Sequence, residues 1–444
     1  MKLIRRRRQG SAVHRHYPGR TTQGGQMVLS PASAYTSPSS HAAVSQRRVG
    51  GTARHASTLV PMPALFWLPV ALSVIGLVFL TSVSIGGILK IGTLPHSPIE
   101  PFRPVLQQVC WVLLGIGLML GLSHIPVRFW QASAWFWMVA LSLLLLAMWW
   151  LPGLGTTRNG AERWLEFPMP FLGRVGFQPS ELFKLATLLF FAALYSKPMV
   201  DWRKGILVAL WLLTLVAIER QPDFGTMALV LLLGVGVAFC GCERLARIGL
   251  WAVSSLVICA LLIGLPHLKS QIGSPSLSGG SHANGLSYRV KRIVAMLDPW
   301  AYEYDMGYQM VRAQIAVGSG GLFRLAIGEG REKRYLPTAE SDYIFATIAE
   351  ETGFVGCLVC IGLLGWLVAT CLRLAHRAPS RFGRLFAGGL ALWIGLQSLV
   401  NIGMATGLIP TVGLPLPFIS AGGSALISLM AALGIAQAIA RETR

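Results

Sequence analysis

Four carboxylates, Glu340, Asp342, Glu350 and Glu351, fall within the twelve residues 340–351, in the stretch YLPTAESDYIFATIAEETG (335–353) of a 444-residue chain that is only 13% charged. Carboxylates in such a setting have two ordinary uses: a base that takes a proton from an attacking hydroxyl, or the anionic half of a buried ion pair. The local pattern separates the four. Pro337 and the apolar run from Tyr343 set a helix start at Ser341 or Asp342, where Ser341 would cap and Asp342 would sit on the positive end of the helix dipole. Glu350 and Glu351 then lie roughly 12 Å further along, at a rise of about 1.5 Å per residue, within a run that reads as membrane-spanning. Acids at that depth are costly and take a basic partner or a polar cavity.

A cation is available in GFQPSELFKLATLLF (176–190). Pro179 starts a helix at a tolerated first-turn position and Glu181 follows it. Lys184 lies about 7–8 Å into that helix among Leu182, Phe183, Leu185 and Ala186. Two readings stand for it: a structural ion pair with Glu350 and Glu351, or a clamp for an anionic headgroup. ERQPDFGTM places Asp223 in a tight turn between two apolar runs, and PLPFISAGGSALISL ends a loop with Ser420, Gly422 and Gly423. Paired glycines at a membrane edge permit close backbone approach or a re-entrant turn. VGSGGLF (317–323) lacks the frame of a phosphate-binding loop, which argues against a nucleotide.

The elements that must position these groups follow from composition. The chain is 53% hydrophobic with mean hydropathy +0.58 and contains several apolar runs long enough to cross a hydrocarbon core, so it reads as an all-α integral membrane protein. Its net charge of +20 sits mostly in short connectors and tails, without interleaved aromatics, which argues for topology and against nucleic acid. Seven cysteines, nearly all within or at the ends of apolar runs, do not form a disulfide framework, and Cys357 and Cys360 read as packing residues. The nine histidines show no ligand spacing. Residues 1–58, rich in Ser, Gly, His and Arg, read as a disordered basic cytoplasmic tail that fixes orientation or touches anionic lipid. MKLIRRRRQG has no apolar run after it until about residue 59, unlike a cleavable signal peptide.

Spans are expected at 63–89, 104–122, 132–151, 179–195, 205–219, 225–241, 246–266, 342–372, 384–408 and 420–440, which makes 59–444 a domain of about ten transmembrane helices. Charge supports the order. Arg128, Lys197, Arg203, Lys204, Arg244, Arg247, Arg373, Arg377 and Arg381 fall in connectors that an even count leaves inside, with both termini cytoplasmic. Two outward segments are long: 152–178, and the extracytoplasmic loop 267–341 between helices 7 and 8. Loops of that length usually carry function. Arg289, Lys291, Arg292, Arg312 and Arg324 give the second a basic surface suited to an anionic cargo.

Taken in order, GAERWL (160–165), FQPSELFKLA (177–186), QPDFGT (221–226), LDPW (297–300), GYQMVRAQIAVGSGGLF (307–323), LP…SDYIFATIAEETGFVG (336–356), NIGMATGLIPTVGLPLPFIS (401–420) and GGSALISLM (422–430) resemble the SEDS family (shape, elongation, division and sporulation), the RodA/FtsW/SpoVE-type peptidoglycan glycosyltransferases. The resemblance spans roughly 65–440. It implies a ten-span, outward-facing polymerase of the bacterial inner membrane that joins lipid II into glycan strands, with undecaprenyl pyrophosphate leaving. Asp342 matches the family's essential aspartate and is the candidate general base. Lys184 matches the family's lysine set near it. Arg163, Gln178, Arg312, Ser420, Gly422 and Gly423 are candidate substrate-binding residues, with Glu181, Asp223, Glu350 and Glu351 as structural support. On this reading the helix terminus and Lys184 favour the Asp342 carboxylate, whereas Glu340 and desolvation favour its acid form. A divalent cation, magnesium or manganese, is compatible with a pyrophosphate leaving group, although no ligand cluster demands one.

Thr338, Glu340 and Ser341 replace the family's usual Glu, His and Thr, Ala421 replaces an aromatic, and Arg312 stands where Gln is frequent. A class B penicillin-binding transpeptidase is the implied partner, because the chain carries no such domain. Other expectations are a flippase for lipid-linked precursor, with Lys184, Glu350 and Glu351 as the path, or a non-catalytic scaffold of the wall-synthesis complex. The acids and long loops gather on one side, unlike the midplane sites of transporters.

Overall fold

The computed structural model describes residues 62–91, 102–151, 153, 155–158, 161–169, 173–197, 201–241, 292 and 295–443. The expected span at 246–266, the tail 1–58 and most of 267–294 lie outside the described residues. The helices are α1 (Met62–Ile91), α2 (Arg103–Leu122), α3 (Val127–Trp150), α4 (Pro179–Ser196), α5 (Asp201–Arg220), α6 (Phe224–Gly241), α7 (Tyr308–Ser319), α8 (Ile344–Arg377), α9 (Arg381–Ala405) and α10 (Gly423–Arg441). Seven of them, α1, α2, α3, α6, α8, α9 and α10, are long and apolar enough to cross a membrane. Helices α4 and α5 stand where spans were expected but are not among the seven.

The fold places a helix with buried charges at its centre. Helix α4 packs against α3, α6, α9 and α10, and its buried set includes Glu181 and Lys184. Helix α10 is buried along nearly its whole length and packs on α2, where Gly434 faces the backbone of Met119. Small residues allow that approach, as they do between membrane helices generally. Helices α2 and α3 show most of their surface to the outside, with Leu113, Leu114, Trp135 and Phe136 exposed. Pro69 within α1 has no N–H to give the carbonyl of Leu65. Gln437 of α10 supplies the missing donor at 3.2 Å, so the proline ties two helices together.

Two expectations change. The outward segment 152–178 is not merely a loop: β1 (Thr156–Arg158), β2 (Ala161–Met169) and β3 (Gly173–Phe177) form an antiparallel sheet in the order β1-β2-β3, with Leu165 opposite Phe177. The body is helical, but the connection between α3 and α4 carries this sheet. The α8 region also differs. Its first helical residue is Ile344, and no side chain caps it, so Ser341 and Asp342 lie in the turn before the helix. Gly353 interrupts α8 with φ 70°. Before the break every residue but Thr352 is buried; after it Phe354, Leu358, Val359, Ile361, Trp366 and Leu372 are exposed. Residues 344–352 are therefore wrapped in protein, and the exposed apolar surface of α8 starts at Phe354.

Candidate active site

The site is assembled around the turn that precedes α8. The carbonyl of Thr338 accepts from the amides of Ser341, Asp342 and Tyr343 at 3.1, 3.0 and 3.4 Å, and Thr338 itself takes φ 54°. A β-branched residue in the left-handed region is strained and must be held by its surroundings. The holding contacts come from the loop 410–422. The amide of Ala421 donates to the carbonyl of Glu340 at 2.9 Å, the Ser420 hydroxyl donates to the carbonyl of Ser341, and the amide of Leu416 donates back to Ser420 Oγ at 2.7 Å. Asn401 of α9 donates through Nδ2 to the carbonyls of both Asp342 and Leu414, at 2.8 and 2.7 Å. The main chain of Asp342 is thereby fixed on several sides. Gly413, at φ 74°, brings the loop to the carboxyl: a Cβ there would stand 3.6 Å from Asp342 Oδ2.

The carboxyl of Asp342 is pushed up to about 6, above the usual carboxylate range. Burial is the main cause; a hydrogen bond with Ser341 opposes it, the charge of Asp223 adds to it, and Arg292 and Arg163 oppose it. The balance anticipated from sequence is thus correct in kind but not in its participants. Desolvation prevails, the neighbouring acid is Asp223 and not the exposed Glu340, and the neighbouring cations are arginines and not Lys184.

Each arginine is placed by main-chain carbonyls. Arg163, on β2, donates to the carbonyls of Gln221 and Pro222 in the turn between α5 and α6 and stands 4.0 Å from Asp223. Arg292 donates to the carbonyl of Thr411 at 2.7 Å. Asp223 caps α6, accepting from the amide of Thr226 at 3.2 Å, and takes a second bond from Gln178 Nε2 at 2.8 Å. Gln178, at the mouth of α4, also donates its amide to Ser424 Oγ at 2.9 Å. Sheet, turn and two helix starts therefore converge beside Asp342.

The expected pairing of Lys184 with Glu350 and Glu351 is not formed. Lys184, fully buried, donates to both carboxylate oxygens of Glu181 at 2.7 and 2.8 Å, one turn away on its own helix. Glu351 pairs with Lys333 at 2.6 Å, and Ser82 of α1 donates to the same oxygen at 2.6 Å. Glu350 accepts from the amides of Arg331 and Glu332 at 2.6 and 3.1 Å. The physical reason is reach: the loop 320–333 folds back beside the first turns of α8 and engages Oε1 of each acid locally. Arg312 is also apart from the Asp342 neighbours; it lies between the rings of Tyr308 and Tyr335, 5.3 and 5.4 Å from their centres, and 3.4 Å from Glu332. Gly423 answers to packing, since a Cβ there would collide with the Trp111 ring, whereas Gly422 has no contact closer than 3.7 Å.

Sequence reasoning missed Asn401, Gly413 and the Lys333–Ser82 contacts, and read Arg292 merely as part of a basic surface. Nothing in their local spacing marks them. Their roles arise where distant segments meet, which a single sequence does not display. Among the described residues no group of three or more His, Cys, Asp or Glu is arranged to hold a metal ion.

The geometry can be set beside known proteins. A family profile described as cell cycle protein, FtsW/RodA/SpoVE, matches residues 63–444. A probable peptidoglycan glycosyltransferase FtsW of Dichelobacter nodosus is 36% identical over 391 residues, covering 86% of this chain and 89% of the relative. The counterpart from Haemophilus influenzae is 33% identical over 399 residues, covering 86% and 90%. Among solved structures, a chain from a peptidoglycan synthase complex that coordinates polymerization and crosslinking superposes with TM-score 0.61 at 29% identity, covering 85% of this chain and 97% of the other. The rod shape determining protein RodA of Thermus thermophilus gives TM-score 0.56 at 27% identity, covering 85% and 96%. The chain is thus a multi-pass membrane protein belonging to the FtsW/RodA/SpoVE family of cell cycle proteins.

Proposed function

We propose that the protein is a peptidoglycan glycosyltransferase that polymerises lipid II on the outer face of the bacterial inner membrane, with Asp342 as general base. The observation that supports this best is the Asp342 turn itself: the main chain is tied by Asn401, Ser420 and Ala421 while the carboxyl, raised to about 6, lies in the field of two arginines. A base poised just below neutral pH is ionised when needed and still accepts a proton readily. The hydroxyl of the acceptor sugar loses its proton to Asp342 as its oxygen bonds to the donor's anomeric carbon; the bond from that carbon to the pyrophosphate breaks, and undecaprenyl pyrophosphate departs with the electron pair. Arg163 and Arg292 stabilise the charge that gathers on the leaving group. The described residues offer no converging donor set for a cation. A magnesium or manganese ion would draw most of its ligands from pyrophosphate and water, and no step here depends on one.

Lys184 and Glu181 form a neutralised buried pair that stiffens α4 beneath Gln178, and Arg312 lies on the outer surface as a second anion contact. Both termini face the cytoplasm, and a class B penicillin-binding transpeptidase is the partner that crosslinks the strands. The test is direct: purified protein in proteoliposomes, given lipid II with and without the cognate transpeptidase, is expected to make glycan strands. Transbilayer movement of lipid II with no polymer would replace the polymerase reading with a flippase.

A further inference from the structure

Residues Gly321–Ile327 belong neither to a spanning helix nor to the Asp342 turn, yet they carry bulky apolar groups on the surface: Leu322, Phe323 and Leu325 are 74%, 72% and 73% exposed. The segment is not loose. The amides of Phe354 and Val355 donate to the carbonyls of Gly321 and Leu322 at 3.0 and 3.2 Å, and the amides of Arg324 and Ala326 donate to those of Thr352 and Glu351 at 3.4 and 3.0 Å. The α8 break at Gly353 makes this possible by freeing backbone groups that a continuous helix would consume. Glycines bring the strands of chain together: a Cβ at Gly320 would strike the carbonyl of Ala349, and one at Gly353 would lie 3.0 Å from Arg324 N.

The depth of this segment can be read from α8. The exposed apolar belt runs from Phe354 to Leu372, and Arg373 and Arg377 follow it. Eighteen helical steps cover about 27 Å, close to the ~30 Å of a hydrocarbon core. Phe354 therefore marks the outer boundary of the core, and Gly321 and Leu322, bonded to Phe354 and Val355, lie at that level. Exposed Phe354 and Val355 continue the apolar surface of the segment into the lipid-facing side of α8.

We propose that Gly321–Ile327 is a membrane-interface anchor, in which Leu322, Phe323 and Leu325 enter the outer leaflet beside α8 while Arg324 between them reaches up to lipid phosphates. Phospholipid is the occupant because the patch is continuous with a surface that already faces acyl chains, and because one basic residue among large apolar ones is the composition that suits the interface. The anchor has a consequence for the site. The chain that leaves it is pinned by Glu350 and by the Lys333–Glu351 pair before it reaches Thr338, so a chain held at these points joins the anchor to the Asp342 turn.

The experiment places p-benzoylphenylalanine at position 323 of the full chain, with Leu358 as a lipid-facing control and Tyr304, 92% exposed, as a control outside the patch. The variants are reconstituted in phosphatidylethanolamine and phosphatidylglycerol vesicles with the transpeptidase, irradiated, and read by mass spectrometry; position 325 serves if the 323 variant does not give a normal detergent melting curve. Phospholipid adducts at 323 comparable to those at 358, and none at 304, are expected. A crosslink to the transpeptidase in place of lipid at 323, or no lipid adduct there while 358 gives one, would overturn the anchor. Adduct formation does not depend on turnover, so the outcome is separate from that of the polymerase assay.

Discussion

Two acidic stations bracket the start of α8, and they are built in opposite ways. At Asp342 the backbone is tied by Asn401 and its flanking carbonyls by Ser420 and Ala421, while the carboxyl meets one neutral hydroxyl and the fields of Arg292, Arg163 and Asp223. Eight and nine residues later the arrangement reverses: the carboxylates of Glu350 and Glu351 are engaged by the amides of Gly330, Arg331 and Glu332, by Lys333 and by Ser82, and what they fix is the loop. A carboxylate spent on holding main chain is not available for chemistry. One whose own main chain is held by others is, and this distinguishes the candidate base from the more deeply buried acids of α8.

The comparison breaks most visibly if the first station is neutralised. Asp342→Asn keeps the shape of the turn and removes the proton acceptor, so glycan polymerisation is expected to fall by about 10²- to 10⁴-fold, the usual contribution of a general base. Stability should not fall with it. The folded state holds the Asp342 proton more tightly than the unfolded chain does, so this group's stabilisation is present at low pH and lost as pH rises from its ordinary range through about 6. At pH 7 the substituted amide carries no such burden, and the melting temperature in detergent should match or exceed the parent's. A folded Asp342→Asn protein that still polymerises lipid II would remove the base.

The second station should show the mirror image, loss of stability first. Lys333→Met strands a fully buried Glu351 carboxylate, and breaking a buried pair from one side costs roughly 3–5 kcal/mol. Combining it with Glu351→Leu should recover most of that loss, because no charge is then left without a partner. Denaturation of the two single variants and the double in detergent supplies the cycle; additive losses would mean that the pair is not coupled.

The sequence exposes some of this plan and hides the rest for definable reasons. Helix starts at Pro179 and the apolar runs of α1, α2, α3, α8, α9 and α10 are legible because periodic local signals write them. Asp342, Asp223 and Gln178 are legible as positions, since each lies at a helix mouth. Pairing is another matter. Lys184 and the acids of α8 are each conspicuous as buried charges, which invites joining them, but the shorter solution for Lys184 is Glu181 one turn away. Lys333 looks like one more loop cation in GEGREKRYLP until the break at Gly353 folds its loop against α8. Asn401 and Gly413 lie in the family-like block 401–420, but only tertiary contacts single them out within it. The sheet of 156–177 is masked by the Gly and Pro residues that interrupt the segment.

The pH profile sharpens the first station without disabling it. With an ionised base required, the polymerisation rate should rise about tenfold per pH unit below a midpoint near 6 and level off above it. Asp223 raises that midpoint and Arg163 lowers it, so Asp223→Asn should move it down and Arg163→Gln up. Asn at 223 keeps an oxygen for the amide of Thr226, which limits damage to the α6 cap. Movement of both midpoints in one direction would show that folding, and not charge, had been read.

The smallest effect belongs to the residue that looks most disruptive on paper. Glu340 puts an acid two positions from the base, where the SEDS resemblance leads one to expect histidine, yet its side chain is exposed, and what the site uses is its backbone carbonyl, which accepts from Ala421 at 2.9 Å. An exposed charge is screened by water and salt, and Glu340 is not among the groups that set the Asp342 carboxyl. Glu340→Gln should therefore leave the pH midpoint in place and change the polymerisation rate by less than about twofold at 0.15 M salt, the scale of surface charge effects. Glu340→Pro, which retains the carbonyl but removes the φ freedom of the turn, should be far worse. If the glutamine variant shifted the midpoint as much as Asp223→Asn does, the second acid would belong to the site, and the separation between a carboxylate that reacts and carboxylates that hold would need redrawing around three residues.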